Sequence, residues 1–80
     1  SKRELPTEVE TFEITEGRVY LPRLLRDLEI VKSSSEAKRL IAQRAIDINK
    51  ETITSEEYAF SKGEYILRIG KKRFVKLVVK

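Results

Sequence analysis

The sequence predicts a small α+β domain. Two packed helices, about residues 21–29 and 34–44, lie against a small antiparallel sheet with a C-terminal hairpin, about 64–69 and 73–79. Three observations carry this expectation. Leu21, Leu24, Leu25 and Leu28 repeat at i, i+3, i+4 and i+7, the spacing of a helix with one buried stripe. Residues from Lys32 to Asn49 then read as a capped basic helix running into a strand. Finally, Glu64 to Val79 alternates apolar and polar residues on either side of Gly70-Lys71-Lys72, the pattern of a β-hairpin. A chain of 80 residues can bury roughly 60–65% of its unfolded surface, which limits it to one modest core.

Taken in order, residues 1–9 are polar, contain Pro6 and show no period, as a linker does. Val9–Ile14 alternates imperfectly, with Phe12 and Ile14 on one face, and suits an edge strand. Residues 1–16 thus read as an acidic linker with a candidate edge strand, ahead of a domain over 17–80. Thr15-Glu16-Gly17 supplies a turn. Val19–Leu28 reads as the first helix, with Pro22 in the first turn, where its missing amide would be unpaired anyway. That helix runs out at Glu29-Ile30, and Val31-Lys32 leads into the second.

Ser33 and Glu36 have the S-x-x-E spacing of a capping box. The hydroxyl accepts from the amide three residues on, and the carboxylate reaches back to the serine amide. Ala37, Leu40 and Ile41 recur at helical spacing, with Lys38, Arg39 and Gln43 on or beside the opposite face. At Ala45 the period becomes two, so Ile46 and Ile48 point one way and Asp47 and Asn49 the other. Lys50-Glu51 makes a turn, and Thr52–Thr54 extends the strand or pairs with it. Ser55–Glu57 reads as loop, with Tyr58 and Phe60 as partly buried loop anchors, and Ser61-Lys62-Gly63 as a turn. In the hairpin Tyr65, Leu67 and Ile69 share a face. Val75, Leu77 and Val79 face one side, and Phe74, Lys76 and Val78 the other.

Composition excludes most chemistry. The chain has no cysteine and no histidine, which removes thiol chemistry, the commonest general base and the commonest metal ligand. Ser33, Ser34 and Ser35 lack a base to activate them, and Glu56-Glu57 are neighbours in a loop rather than an acid/base pair. No metal-ligand spacing and no phosphate-cradling glycine pattern is present. The expectation is a non-catalytic piece with no cofactor or metal of its own. No apolar run approaches the ~20 residues that span a bilayer, and no secretory pattern opens the chain, so a cytoplasmic setting away from membranes is expected. A first residue of serine suggests a piece of a longer protein, and abundant Lys, Arg and Glu lean toward a thermophilic source.

Charge is the informative property. The chain carries +4, but residues 1–16 hold two basic and five acidic residues, a balance of −3, while the remainder holds fifteen basic and eight acidic, a balance of +7. A basic body behind an acidic lead points to a polyanion partner. Arg23 and Arg26 on the first helix, Lys32 before the second, and Lys38, Arg39 and Arg44 on it would converge once the apolar stripes pack. Such a cluster neutralises phosphates and releases counterions. Lys71, Lys72, Arg73 and Lys76 on the hairpin are either a flank of the same surface or a guard against edge-to-edge pairing.

The run Leu21-x-x-Leu-Leu-x-x-Leu28, Ser33-Ser-Ser-Glu-Ala-Lys-Arg-Leu-Ile41 and Ile46-Asp-Ile-Asn49 resembles the RNA-binding module named after small-subunit ribosomal protein four. The likeness covers residues 20–54, and Gly63-Glu-Tyr-Ile66 continues it. Ser34 and Tyr20 stand where many members have arginine, and Arg44 and Lys50 replace two common glycines; Arg44 offers a substitute phosphate contact. The acidic lead into Glu16-Gly-Arg-Val-Tyr20, the Arg44-Ala-Ile turn and Gly70-Lys-Lys-Arg-Phe-Val-Lys-Leu77 look like the C-terminal domain of bacterial tyrosyl-tRNA synthetases. That resemblance implies a domain that grips structured RNA, most of all tRNA-Tyr at its variable arm and anticodon stem region. Arg23, Arg26, Lys32, Ser34, Ser35, Lys38, Arg39, Gln43 and Arg44 would face the RNA backbone, with Lys71 and Lys72 beside them. It also implies a homodimeric parent whose separate catalytic domain binds ATP and tyrosine. Two other readings stay open: the same module on an rRNA-binding or rRNA-modifying protein, and a protein-interaction module using the hairpin edge.

Overall fold

The computed structural model describes residues 9–80, in which the period-two and period-3.6 stretches become seven strands and two helices. Their order is β1 (Glu10–Ile14), β2 (Gly17–Tyr20), α1 (Leu21–Asp27), α2 (Ser34–Ala42), β3 (Ile46–Ile48), β4 (Glu51–Thr52), β5 (Glu57–Phe60), β6 (Gly63–Ile69) and β7 (Arg73–Val79). The expected α+β class and C-terminal hairpin are both present. A five-stranded sheet has the order β1-β7-β6-β3-β4, and β2 pairs with β5 in a separate two-stranded ribbon. The expectation of a linker over residues 1–8 lies outside the described residues.

The core is the meeting of three apolar rows. Leu21 and Leu25 come from α1, Ala37 and Ile41 from α2, and Ile46, Ile48, Leu67, Ile69, Val75, Leu77 and Val79 from the sheet; all are buried. Each large aliphatic side chain removed from water this way contributes about 1.5–3 kcal/mol. Leu24, Leu28 and Leu40 are half-buried at its margin. At the ribbon end, Phe60 stacks between Tyr58 at 4.6 Å and Tyr65 at 5.0 Å, the latter edge to face.

Three features differ from the sequence expectation. Val19 and Tyr20 are strand rather than helix, because they pair antiparallel with Tyr58 and Glu57. The loop expected at Ser55–Glu57 accordingly shortens, and Tyr58 and Phe60 are strand residues. The sheet is mixed: β1 runs parallel to β7, with Glu10 opposite Val75 and Ile14 opposite Val79. The whole domain intervenes between these strands, which supplies the long crossover that parallel pairing needs. Finally, α2 stops at Ala42 rather than residue 44, for a reason found in the backbone of Arg44, described below.

Both hairpin strands are covered on their outer sides, β7 by β1 and β6 by β3. Strand addition at the hairpin edge is therefore blocked, and β7 needs no lysine guard against edge pairing.

Candidate nucleic-acid interface

The nine-residue helix α2 sorts its side chains by angle. Ser34, Ala37 and Ile41 form the inward row, with Ala37 and Ile41 buried and Ser34 half-buried. Ser35, Lys38, Arg39, Ala42 and Gln43 form the outward face, all exposed. Ser33 starts the helix as expected: its Oγ accepts from the Glu36 amide at 3.1 Å. The Glu36 carboxylate, however, reaches the Lys32 amide at 2.9 Å rather than the amide of Ser33. This fixes the backbone of Lys32 and leaves its side chain in solvent.

Both helices end in the same way. Glu29 has φ 61° and Arg44 φ 59°, the left-handed region that favours glycine. At α1 the Glu29 amide donates to Arg26 O and the Ile30 amide to Leu25 O, both at 2.9 Å. At α2 the Arg44 amide donates to Ile41 O at 3.0 Å and the Ala45 amide to Leu40 O at 2.9 Å. This is the Schellman ending, in which the turn residue satisfies carbonyls the helix would leave open. Arg44 therefore cannot continue the helix, and its exposed side chain leaves from the end of α2 rather than from the Lys38–Arg39 face.

The basic hairpin turn belongs to this end of the molecule. The Gly70 amide donates to Ala45 O at 2.7 Å, which ties the turn carrying Lys71 and Lys72 to the residue after Arg44. Arg73 Nη1 donates to Ile30 O at 2.7 Å and its Nη2 meets Glu10 at 2.9 Å, so this arginine is a brace between the helix link, β7 and β1. Lys76 pairs with Glu64 at 3.0 Å. Among the described residues Arg23, Lys32, Lys38, Arg39, Arg44, Lys71 and Lys72 have no carboxylate within ion-pair reach, whereas Arg26 is paired with Asp27 at 3.1 Å. The structure thus joins Arg44 with Lys71 and Lys72 and sets Ser35, Lys38, Arg39 and Gln43 in one stripe. Arg23 and Arg26 occupy the exposed face of α1, and Ser34 turns toward the core.

Sequence reasoning missed the residues on the sheet's other face. Asp47 Oδ1 accepts from the Thr52 hydroxyl at 2.9 Å, and its Oδ2 meets the Arg68 guanidinium at 2.9 Å. The Thr52 hydrogen bond is the largest influence and holds the Asp47 carboxyl below the usual range; burial opposes it, and the Arg68 hydrogen bond and charge add to the lowering. Asn49 exchanges hydrogen bonds with Ile66, donating its amide to Ile66 O and accepting from Ile66 N at Oδ1, each at 2.8 Å. Asn49 and Lys50, with φ 51° and 74°, form a two-residue turn of the I′ kind between β3 and β4. Asp47, Asn49, Lys50, Ile66, Arg68 and Phe74 together line a shallow depression of about 600 Å³. The signals for it in the sequence are the outward positions of Asp47, Asn49 and Phe74 in the alternation of β3 and β7.

Among the described residues no group of three or more acidic side chains is placed to hold a metal ion, and no helix is long and apolar enough to cross a membrane. Comparison with known families matches residues 2–77 to the tyrosine–tRNA ligase SYY-like C-terminal domain. The tyrosine–tRNA ligase of Helicobacter hepaticus is 43% identical over 79 residues, covering 99% of this chain and 20% of that protein. The tyrosine–tRNA ligase of Campylobacter jejuni is 38% identical over 80 residues, covering 100% and 20%, and that of Geobacter metallireducens 42% over 66, covering 81% and 16%. The chain spans about one fifth of the length of these relatives.

Proposed function

The chain belongs to the tyrosine–tRNA ligase C-terminal domain family, and on that premise we propose that it docks tRNA-Tyr for aminoacylation by its parent enzyme. The observation that carries this reading is the exposed stripe of Ser35, Lys38, Arg39 and Gln43 on a helix whose opposite row is buried. Arg44, Lys71 and Lys72 extend the positive charge beyond the helix end. Lysine and arginine neutralise phosphates, and the serine and glutamine side chains reach 2′-hydroxyls across a shallow minor groove. Recognition is by RNA shape, at the variable arm and anticodon stem region. The domain performs no catalytic step. ATP and tyrosine bind the rest of the parent, a homodimer acting in the cytoplasm.

Replacing Lys38 and Arg39 together by alanine tests this. Both side chains are exposed and unpaired among the described residues, so the melting temperature should stay near that of the unaltered chain. A gel-shift titration should show weaker binding of tRNA-Tyr, and the slope of log affinity against log salt should shrink by about 2. Unchanged affinity overturns the reading. Equal affinity for an rRNA fragment would assign the module to ribosomal RNA instead.

A further inference from the structure

We propose that the outer face of the sheet is a second RNA contact, a pocket for one unpaired nucleotide with Phe74 as its stacking ring. This rests on the RNA-binding reading above but uses the layer opposite the helices. Phe74 and Ile66 are 47% and 42% exposed, on a strand pair whose other face is the core. Arg68 stands opposite Phe74 in register and is pinned by Asp47 at 2.9 Å. The Asn49 Oδ1 is taken by the Ile66 amide, which orients its NH2 as a fixed donor. A depression of about 600 Å³ between these groups is within the ~300–1,000 Å³ of small-ligand sites. An exposed ring beside a guanidinium and an amide, on an open sheet face, suits a splayed base, which stacks on aromatic and arginine planes and is read along its edge.

Charge selects the occupant. Arg68 with Asp47 and Lys76 with Glu64 are neutral pairs, so the excess on this face is Lys50 at the rim. Lys71 and Lys72 continue the positive rim through the Gly70 turn toward Arg44. A polyanion that wraps this end meets both layers.

The chain contains no tryptophan, so Phe74→Trp gives a single reporter in the pocket. The 80-residue chain is titrated with an RNA hairpin carrying a one-nucleotide bulge and with the same hairpin fully paired. The bulged hairpin should quench the reporter and bind about 5- to 150-fold tighter, the range expected for one stacked base. Phe74→Ala and Phe74→Leu should remove that preference while leaving affinity for the paired hairpin and the circular dichroism spectrum unchanged. Equal affinities without quenching overturn the pocket and leave the helix-face reading standing. Binding of neither hairpin overturns both. A dimer in sedimentation velocity that Phe74→Ala dissolves assigns the face to a second copy and overturns the pocket.

Discussion

Glycine at position 44 should make the domain more stable while making it a poorer RNA binder. Arg44 has φ 59°, and its amide and that of Ala45 close α2 on two carbonyls. A side chain in this left-handed conformation costs roughly 1–2 kcal/mol, which glycine avoids. Glycine also loosens the unfolded chain, which offsets about 0.4–1 kcal/mol of that relief. Because the Arg44 side chain is exposed and has no ion-pair partner among the described residues, nothing else is lost. The balance is a gain of about 0.5–1 kcal/mol, or about 2–8 °C in melting temperature for a domain of this size. Thermal melts followed by circular dichroism measure it, with Arg44→Ala as the control that keeps the Cβ and should leave the midpoint unmoved. In a parallel titration Arg44→Gly should bind tRNA-Tyr more weakly. A midpoint for Arg44→Gly that stays level or falls refutes the backbone reasoning. So does an equal rise in Arg44→Ala, which would trace the gain to lost charge.

Three further outcomes follow from the packing. Leu67→Ala, at a fully buried position in β6, should cost about 2–5 kcal/mol in a denaturant melt, a large share of the roughly 4–12 kcal/mol expected for this length. Ser33→Ala removes the acceptor for the Glu36 amide and should cost about 1 kcal/mol, with little change in the denaturant slope. Asp47 is held below its ordinary pKa, so the unfolded chain takes up the proton first on acidification. Its contribution is therefore complete above about pH 4 and fades as the pH falls through the lower folded value. Melts of Asp47→Asn across the acid range should show a shallower loss of stability than the unaltered chain; matching curves would dismiss the Thr52 and Arg68 contacts as its cause.

The local signals in the sequence were those of periodicity and capping. The leucine row, the Ser33 cap, the switch to period two after Ala45 and the hairpin alternation each depend on neighbours within a few positions, and each appears where those patterns put it. Pairings between distant segments were not legible. Nothing near Val19 and Tyr20 announces Tyr58 and Glu57 as partners, so local propensity gave helix and the ribbon gave strand. The parallel docking of β1 likewise depends on β7, at the far end of the domain. For the interface, exposure of Lys38 and Arg39 followed from helical angle alone. The brace formed by Arg73 and the inward turn of Ser34 needed tertiary structure. Arg44 and Lys50 were visible as departures from a glycine pattern, and both have positive φ.

The parallel pairing of β1 also bears on the order of assembly. Glu10 sits opposite Val75, so the partners are 65 positions apart (75 − 10), whereas the β6–β7 turn closes across three residues. Long closures cost more chain entropy and form later than short ones. On that ground the hairpin is expected to close before β1 docks, although β1 precedes it in the chain. Until then the outer row of β7 amides and carbonyls stays open. Glu10 and Glu13, which end on Arg73 and Lys80, then align the late strand in register.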